Sequence, residues 1–170
     1  MLSIIKRNIK TGSPTVEIKP DAREFEALGA ELRAKLKKLG RSLHIREVDA
    51  GSCNGCELEI TGLSNPVYDI ERFGVHFVAS PRHADVLLVA GPVTKQMKLA
   101  LQKTYEATPD PRIVIACGEC AGNCGVFKNN YAVAGPVDSV IPVDIKIPGC
   151  PPEPAAIIRA ILSALDKQTS

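Results

Sequence analysis

The chain has 170 residues, 45% of them hydrophobic and 24% charged, enough apolar material for one buried core and too much for a disordered chain. No run approaches the roughly 18 apolar residues of a membrane span, and the N-terminus has neither a signal peptide's apolar stretch nor a twin-arginine pair. Four Phe, three Tyr and no Trp argue against a stacking platform for single-stranded nucleic acid, while six Cys without an export signal point to metal or redox chemistry rather than disulfides.

The net charge of +2 hides an uneven distribution, because residues 1–46 carry 11 Lys and Arg against 5 Asp and Glu, and the rest carries 10 against 14. A basic arm of this kind suits nucleic acid, an anionic membrane surface, an acidic partner or plain solvation. Residues 1–20, with Lys6, Arg7, Lys10, Gly12, Pro14 and Pro20, read as an extended tail. Asp21 with Glu24 three positions on has the form of a capping box. Phe25, Leu28, Leu32, Leu36 and Leu39 then recur at three- and four-residue steps, predicting an amphipathic helix that ends at Gly40. Arg33, Lys35, Lys37, Lys38 and Arg41 crowd its last turns. Docking on protein is the common fate of such a helix, and a membrane interface is the other. Residues 1–42 are accordingly expected to form an arm and helix, and residues 43–170 a separate domain.

In that domain strand and helix signals alternate. Leu43 to Val48 and Val75 to Ala79 read as strands. Ala84 to Ala90 and Arg112 to Ala116 are continuous apolar runs, typical of strands covered on both faces. Lys95 to Ala107 reads as helix. Val140 to Ile147 is a mixed strand broken by Pro142, and Pro154 opens a last helix through Leu165. This order predicts an α/β fold with a mostly parallel, doubly wound sheet.

The six cysteines fall at strand ends or in the loops beyond them: Cys53 and Cys56 in AGSCNGCELEI, Cys117, Cys120 and Cys124 in ACGECAGNCGVF, and Cys150 in IPGCPPEP. In an open parallel sheet these loops gather at the carboxyl edge, where such folds place their sites, so one shared site is the economical explanation. Gly51 and Gly55 allow tight turns around the first pair, and Pro148, Pro151, Pro152 and Pro154 stiffen the loop that carries Cys150. Cys56 and Cys150 each precede an expected helix start, a setting that favours thiolate. Four thiolates hold iron–sulfur centres, and a cysteine followed by proline recurs in them. Zinc is the rival, since Cys117 and Cys120 make a second Cys-x-x-Cys pair, but a leftover Cys150 in a proline loop weakens it.

The segments CNGCELEI, NPVYDIERFGVHFVASPRHADVLLVAGPVT and VDSVIPVDIKIPGCPPEPAAII resemble the small subunit of group 4 NiFe-hydrogenases, of the formate hydrogenlyase and CO-linked type, which is homologous to the 20-kDa subunit of respiratory complex I. The resemblance runs from about Leu43 to the C-terminus. It implies a flavodoxin-like domain with one 4Fe–4S cluster proximal to the active site of a large subunit. The hydrogenase motif Cys-x-Gly-Cys is matched by Cys53, Gly55 and Cys56, where complex I subunits carry adjacent cysteines. The small-residue segment around the middle ligand is matched by Gly118, Cys120 and Ala121, and Gly-Cys-Pro-Pro by Gly149 to Pro152. The resemblance thus implies Cys53, Cys56, Cys120 and Cys150 as the four ligands. Cys117, and Cys124 where glycine is usual, depart from the pattern.

The function so implied is electron transfer, not bond chemistry, with no catalytic residue in this chain. Single electrons would pass between the nickel–iron site of the large subunit and a ferredoxin-like iron–sulfur subunit, and membrane subunits would couple the released energy to ion pumping. The expected location is peripheral, on the cytoplasmic face of the membrane, with no nucleic-acid partner. The alternative is a complex I-like subunit whose cluster reduces quinone. A zinc-stabilised module whose arm grips nucleic acid is a third reading. Glu57 and Glu119 are candidates for tuning the cluster or relaying protons. Glu59, Arg82 and His83 have capping or contact roles open to them, and His44 and His76 lack metal-ligand spacing.

Overall fold

The computed structural model describes residues 22–168, so the basic tail and the Asp21 cap lie outside the described residues. The first element, α1 (Ala22–Leu39), ends where the periodicity predicts, with Gly40 at φ +70° closing it. Then follow β1 (Leu43–Asp49), α2 (Gly55–Gly62), β2 (Val75–Phe77), β3 (Val86–Ala90), β4 (Val93–Thr94), α3 (Lys98–Ala107), β5 (Ile113–Cys117), α4 (Gly118–Asn123), β6 (Val133–Gly135), β7 (Ile145–Ile147) and α5 (Pro154–Gln168).

Five strands form one all-parallel sheet in the order β2-β1-β3-β5-β7. Counted within that sheet this is the 2-1-3-4-5 order of flavodoxin-like, doubly wound folds, whose switch point lies between the first and third strands. The register lines up Asp49 with Ala90, Ala90 with Cys117 and Cys117 with Ile147, so four strands end level at one edge. Alternation along the strands divides the core. Ile45, Val86, Leu88 and Ile115 pack with Phe25, Leu32 and Leu36 of α1, Ile60 of α2, and Ile157, Ile158 and Ile161 of α5. Leu87, Val89, Val114 and Ala116 pack on the other face with Leu101 of α3 and Ala121 of α4. Helix α1 also meets α5 through ion pairs of Lys35 with Asp166 (2.8 Å) and Glu24 with Arg159.

Four expectations need correcting. The second strand stops at Phe77, short of Ala79. Helix α3 begins at Lys98 rather than Lys95, because Val93–Thr94 pairs antiparallel with Val133–Gly135. The stretch from Val140 shrinks to Ile145–Ile147. There Val114 N–H donates to the Asp144 carboxylate (2.8 Å) and Asp144 N–H to the Val114 carbonyl (2.9 Å), which fixes where pairing begins. Finally, Cys56 and Cys120 lie within the short helices α2 and α4 rather than in loops, and Cys117 is the last residue of β5 itself. Helix α4 (GECAGN) has poor intrinsic propensity. It is held instead by tertiary bonds at both ends, from Glu119 N–H to the Gly149 carbonyl (2.8 Å) and from Lys146 Nζ to the Gly122 carbonyl (3.2 Å).

Two substitutions separate core from surface. Leu88→Ala in the fully buried β3 is expected to cost about 2–5 kcal/mol, and Lys35→Ala in the exposed pair with Asp166 less than about 1 kcal/mol; denaturant midpoints measure both.

Candidate functional site

The first cysteine loop leaves β1 at Asp49, whose Oδ1 accepts the N–H groups of Gly51 and Ser52 (2.8 Å each) in an Asx turn. Ser52 Oγ accepts Asn54 N–H (3.0 Å) and donates to Glu57 Oε1 (2.6 Å). With Asn54 at φ +70° the chain turns directly into α2. Cys53 is left exposed at the tip and Cys56 buried in the first helical turn. The second loop begins at the end of β5, where Cys117 is fully buried. Gly118 sits at φ +87°, and a Cβ there would fall 2.7 Å from Cys56 Sγ and 3.2 Å from the Gly149 carbonyl. Only glycine permits both this backbone conformation and this approach. Cys120 follows, buried in α4, and Cys150 is exposed in the loop after β7.

Electrostatics separates the six thiols into two groups. Burial pushes the Cys120 thiol up, and the negative charges of Cys150, Cys53 and Cys56 push it further. Cys150, Cys53 and Cys56 thus all lie within electrostatic reach of Cys120. Val126 N–H donates to the Cys120 sulfur, which opposes the rise. A hydrogen bond from Cys117 holds Cys56 below the ordinary cysteine value against the effect of burial, and the same bond together with burial pushes Cys117 far up. Burial raises Cys124 too, but its charged neighbours are Lys128 and Asp138. It occupies a left-handed turn at φ +70°. Among the described residues, no group of three or more His, Cys, Asp or Glu closes tightly enough to hold a single metal ion.

The two carboxylates singled out from the sequence part company. Glu119 is exposed and accepts Asn123 Nδ2–H (3.1 Å). Glu57 accepts from Ser52 through one oxygen, while its Oε2 is buried without a hydrogen-bond partner, as are Glu47 Oε1 and Arg46 Nε. These three side chains line a cavity of about 340 Å³ with Ile60, Thr61, Ser64 and Phe77. Burial raises the Glu47 carboxyl, and the Glu57 charge raises it further. Sequence reading missed Arg46 and Glu47, although two charges inside the strand LHIREVD were the available signal. His44, His76 and His83 lie at the amino edge of the sheet, opposite the cysteines. His44 pairs in register with His76, and its backbone N–H donates to the Asp85 carboxylate (2.9 Å). Arg82 and His83 lie in a single 3₁₀ turn before β3.

Residues 53–164 match the family described as NADH ubiquinone oxidoreductase, 20 Kd subunit. The chain is 51% identical over 144 residues to a probable membrane-bound hydrogenase subunit, mbhJ, of Pyrococcus furiosus, an overlap of 85% of this chain and 86% of that one. It is 44% identical over 140 residues to formate hydrogenlyase subunit 7 of Escherichia coli, covering 82% of this chain and 55% of that protein. Among solved structures, an archaeal respiratory membrane complex, the membrane-bound sulfane sulfur reductase, has a chain that superposes with a TM-score of 0.62 at 35% identity, over 79% of this chain and 73% of that one.

The crowding at Gly118 generates a prediction. Gly118→Ala should leave the sheet folded by circular dichroism and yet lower the metal bound per purified chain several-fold, because the added methyl pushes directly on Cys56 Sγ.

Proposed function

Because the chain belongs to the family of the 20-kDa subunit of NADH ubiquinone oxidoreductase, an electron-transfer subunit of oxidoreductase complexes, we propose that it is the small subunit of a membrane-associated, energy-converting NiFe-hydrogenase. Its immediate partners are the large subunit with the nickel–iron site and a ferredoxin-like subunit, with ion-pumping membrane subunits beyond them. The observation that supports this reading is that the segments carrying Cys53 and Cys56, Cys120 and Cys150 all follow the level carboxyl ends of β1, β5 and β7, and that Cys150, Cys53 and Cys56 all act electrostatically on Cys120. Sequence identity of 51% to a probable membrane-bound hydrogenase subunit supports it. No described helix is long and apolar enough to cross a membrane.

The donor set suits an iron–sulfur group. Four thiols come from the segments that follow β1, β5 and β7, Cys56 and Cys120 buried in short helices and Cys53 and Cys150 exposed, and a 4Fe–4S cluster takes four thiolates. A single tetrahedral zinc needs all four sulfurs about 2.3 Å from one point. When bound, such a cluster supplies reversible one-electron transfer. The chain's own residues do the rest. Buried Cys56 and Cys120 anchor the protein side, and the Val126 N–H opposes the rise at Cys120, favouring its ionised form. Exposed Cys53 and Cys150 leave the opposite side open to a partner, as rapid electron exchange requires. Val126 and Tyr131, 84% and 88% exposed, offer apolar contacts in the segment that follows Cys120.

The test is metal analysis and EPR of the complex isolated anaerobically with its native partners. About four or more irons per chain together with nickel are expected; iron without nickel would move the chain to a respiratory member of the family, and zinc alone would sink the reading. In the same complex, Cys53→Ser, Cys56→Ser, Cys120→Ser and Cys150→Ser should each lose or convert the reduced-state signal. Cys124→Gly should retain it, since glycine accepts the left-handed turn without strain.

A further inference from the structure

We propose that Ser52 is a positioning residue for the first ligand pair, whose hydroxyl ties the turn at Cys53 to the helical turn that carries Cys56; this rests on the function proposed above. Helix α2 starts without a side-chain cap, because Asn54 at its N-cap position makes no such hydrogen bond. The tie comes from two residues earlier. Ser52 Oγ accepts the N–H of Asn54 (3.0 Å), which stands between the two cysteines. The same hydroxyl donates to Oε1 of Glu57 (2.6 Å), the residue directly after Cys56. One oxygen thus bridges the Cys53–Cys56 segment from outside it.

Such a bridge can aim the cysteines only if Ser52 is itself fixed, and it is held from two sides. Its N–H donates to Asp49 Oδ1 (2.8 Å) at the end of β1. Gly91 follows β3 at φ +75°, and a Cβ there would fall 2.5 Å from the Ser52 nitrogen and 2.6 Å from its Cα. The Ser52 backbone therefore rests directly on the chain leaving β3, and Ala50 N–H donates to the Ala90 carbonyl (3.0 Å) beside it. At the far end of the bridge, Glu57 Oε2 is buried without a hydrogen-bond partner, so the carboxylate is oriented through its bond to Ser52. A carboxylate acceptor makes that bond stronger than a neutral one. Position passes in this way from the level ends of β1 and β3 to the first turn of α2. Removing a group that orients a metal's ligands typically lowers metal affinity about 10–100-fold.

The experiment uses the anaerobically isolated complex, with iron release to a chelator and the EPR spectrum of the reduced cluster measured on the same samples. Ser52→Ala and Glu57→Leu each break the tie. Each should speed iron release several-fold and change the shape of the reduced-state spectrum, in a complex that keeps its subunits. A general loss of stability would leave that shape alone. Glu57→Gln, which keeps an acceptor oxygen for the hydroxyl, should behave as wild type. The double variant Ser52→Ala/Glu57→Leu should be no worse than the more severe single one, because both remove the same interaction. The proposal is overturned if Ser52→Ala keeps the wild-type release rate and spectrum, if Glu57→Gln fails as Glu57→Leu does, or if the two single effects simply add. A wild-type complex with no iron–sulfur signal would instead overturn the underlying function, a failure visible before any variant is made.

Discussion

Parallel registry of β1, β3, β5 and β7 is the constraint on which the rest depends. Asp49, Ala90, Cys117 and Ile147 share one row, so loops separated by up to a hundred residues of chain begin at the same height. A slip of one residue in any pairing would turn the strand's core side chains to the other face. Here both faces are apolar, and the small side chains at the carboxyl ends, Ala90 and Ala116, leave room for the loops above. The sheet therefore acts as a ruler for the thiols. The local devices, the Asp49 turn and the Gly118 turn, only aim side chains that the register has already brought together.

Gathering thiols in this way has an electrostatic cost that shapes the site. Each cysteine that ionises raises the cost of the next; burial is the larger cause of the rise at Cys120, and the charges of Cys150, Cys53 and Cys56 add to it, while Glu57 and Glu47 add to the negative field at Cys117. Backbone N–H groups aimed at sulfur offset part of this, and a metal centre offsets far more while displacing protons. The uneven exposure follows from the same balance. Two of these sulfurs, Cys56 and Cys120, are buried, and two, Cys53 and Cys150, are exposed.

Much of this was legible in the sequence because it is carried by patterns of fixed period. The apolar runs of β3 and β5 and the three- and four-residue steps of α1 depend on burial alone and are found nearly where expected. The parallel, doubly wound arrangement follows from alternating elements, and the cysteine motifs mark which loops share the edge. What escaped is set by partners distant in the chain. Helix α4 has almost no propensity and exists because Gly149 and Lys146 hold its ends. The strand Ile145–Ile147 starts where Val114 and Asp144 meet. The half-buried Arg46–Glu47–Glu57 cavity needs β1, α2 and β2 assembled before its charges have anything to face.

The two surplus cysteines show most clearly where spacing stops being informative. In ACGECAGNCG both stand three or four residues from Cys120, and nothing in that string ranks them. The backbone does. Cys124 follows α4 in a left-handed turn that suits glycine, and its charged neighbours are Lys128 and Asp138. Cys117 belongs to a strand, and the strand's register sends its thiol into the core behind Cys56. One fold thus gives the same side chain two fates, because a cysteine's chemistry here is decided by what lies across the sheet edge from it rather than by its distance along the chain.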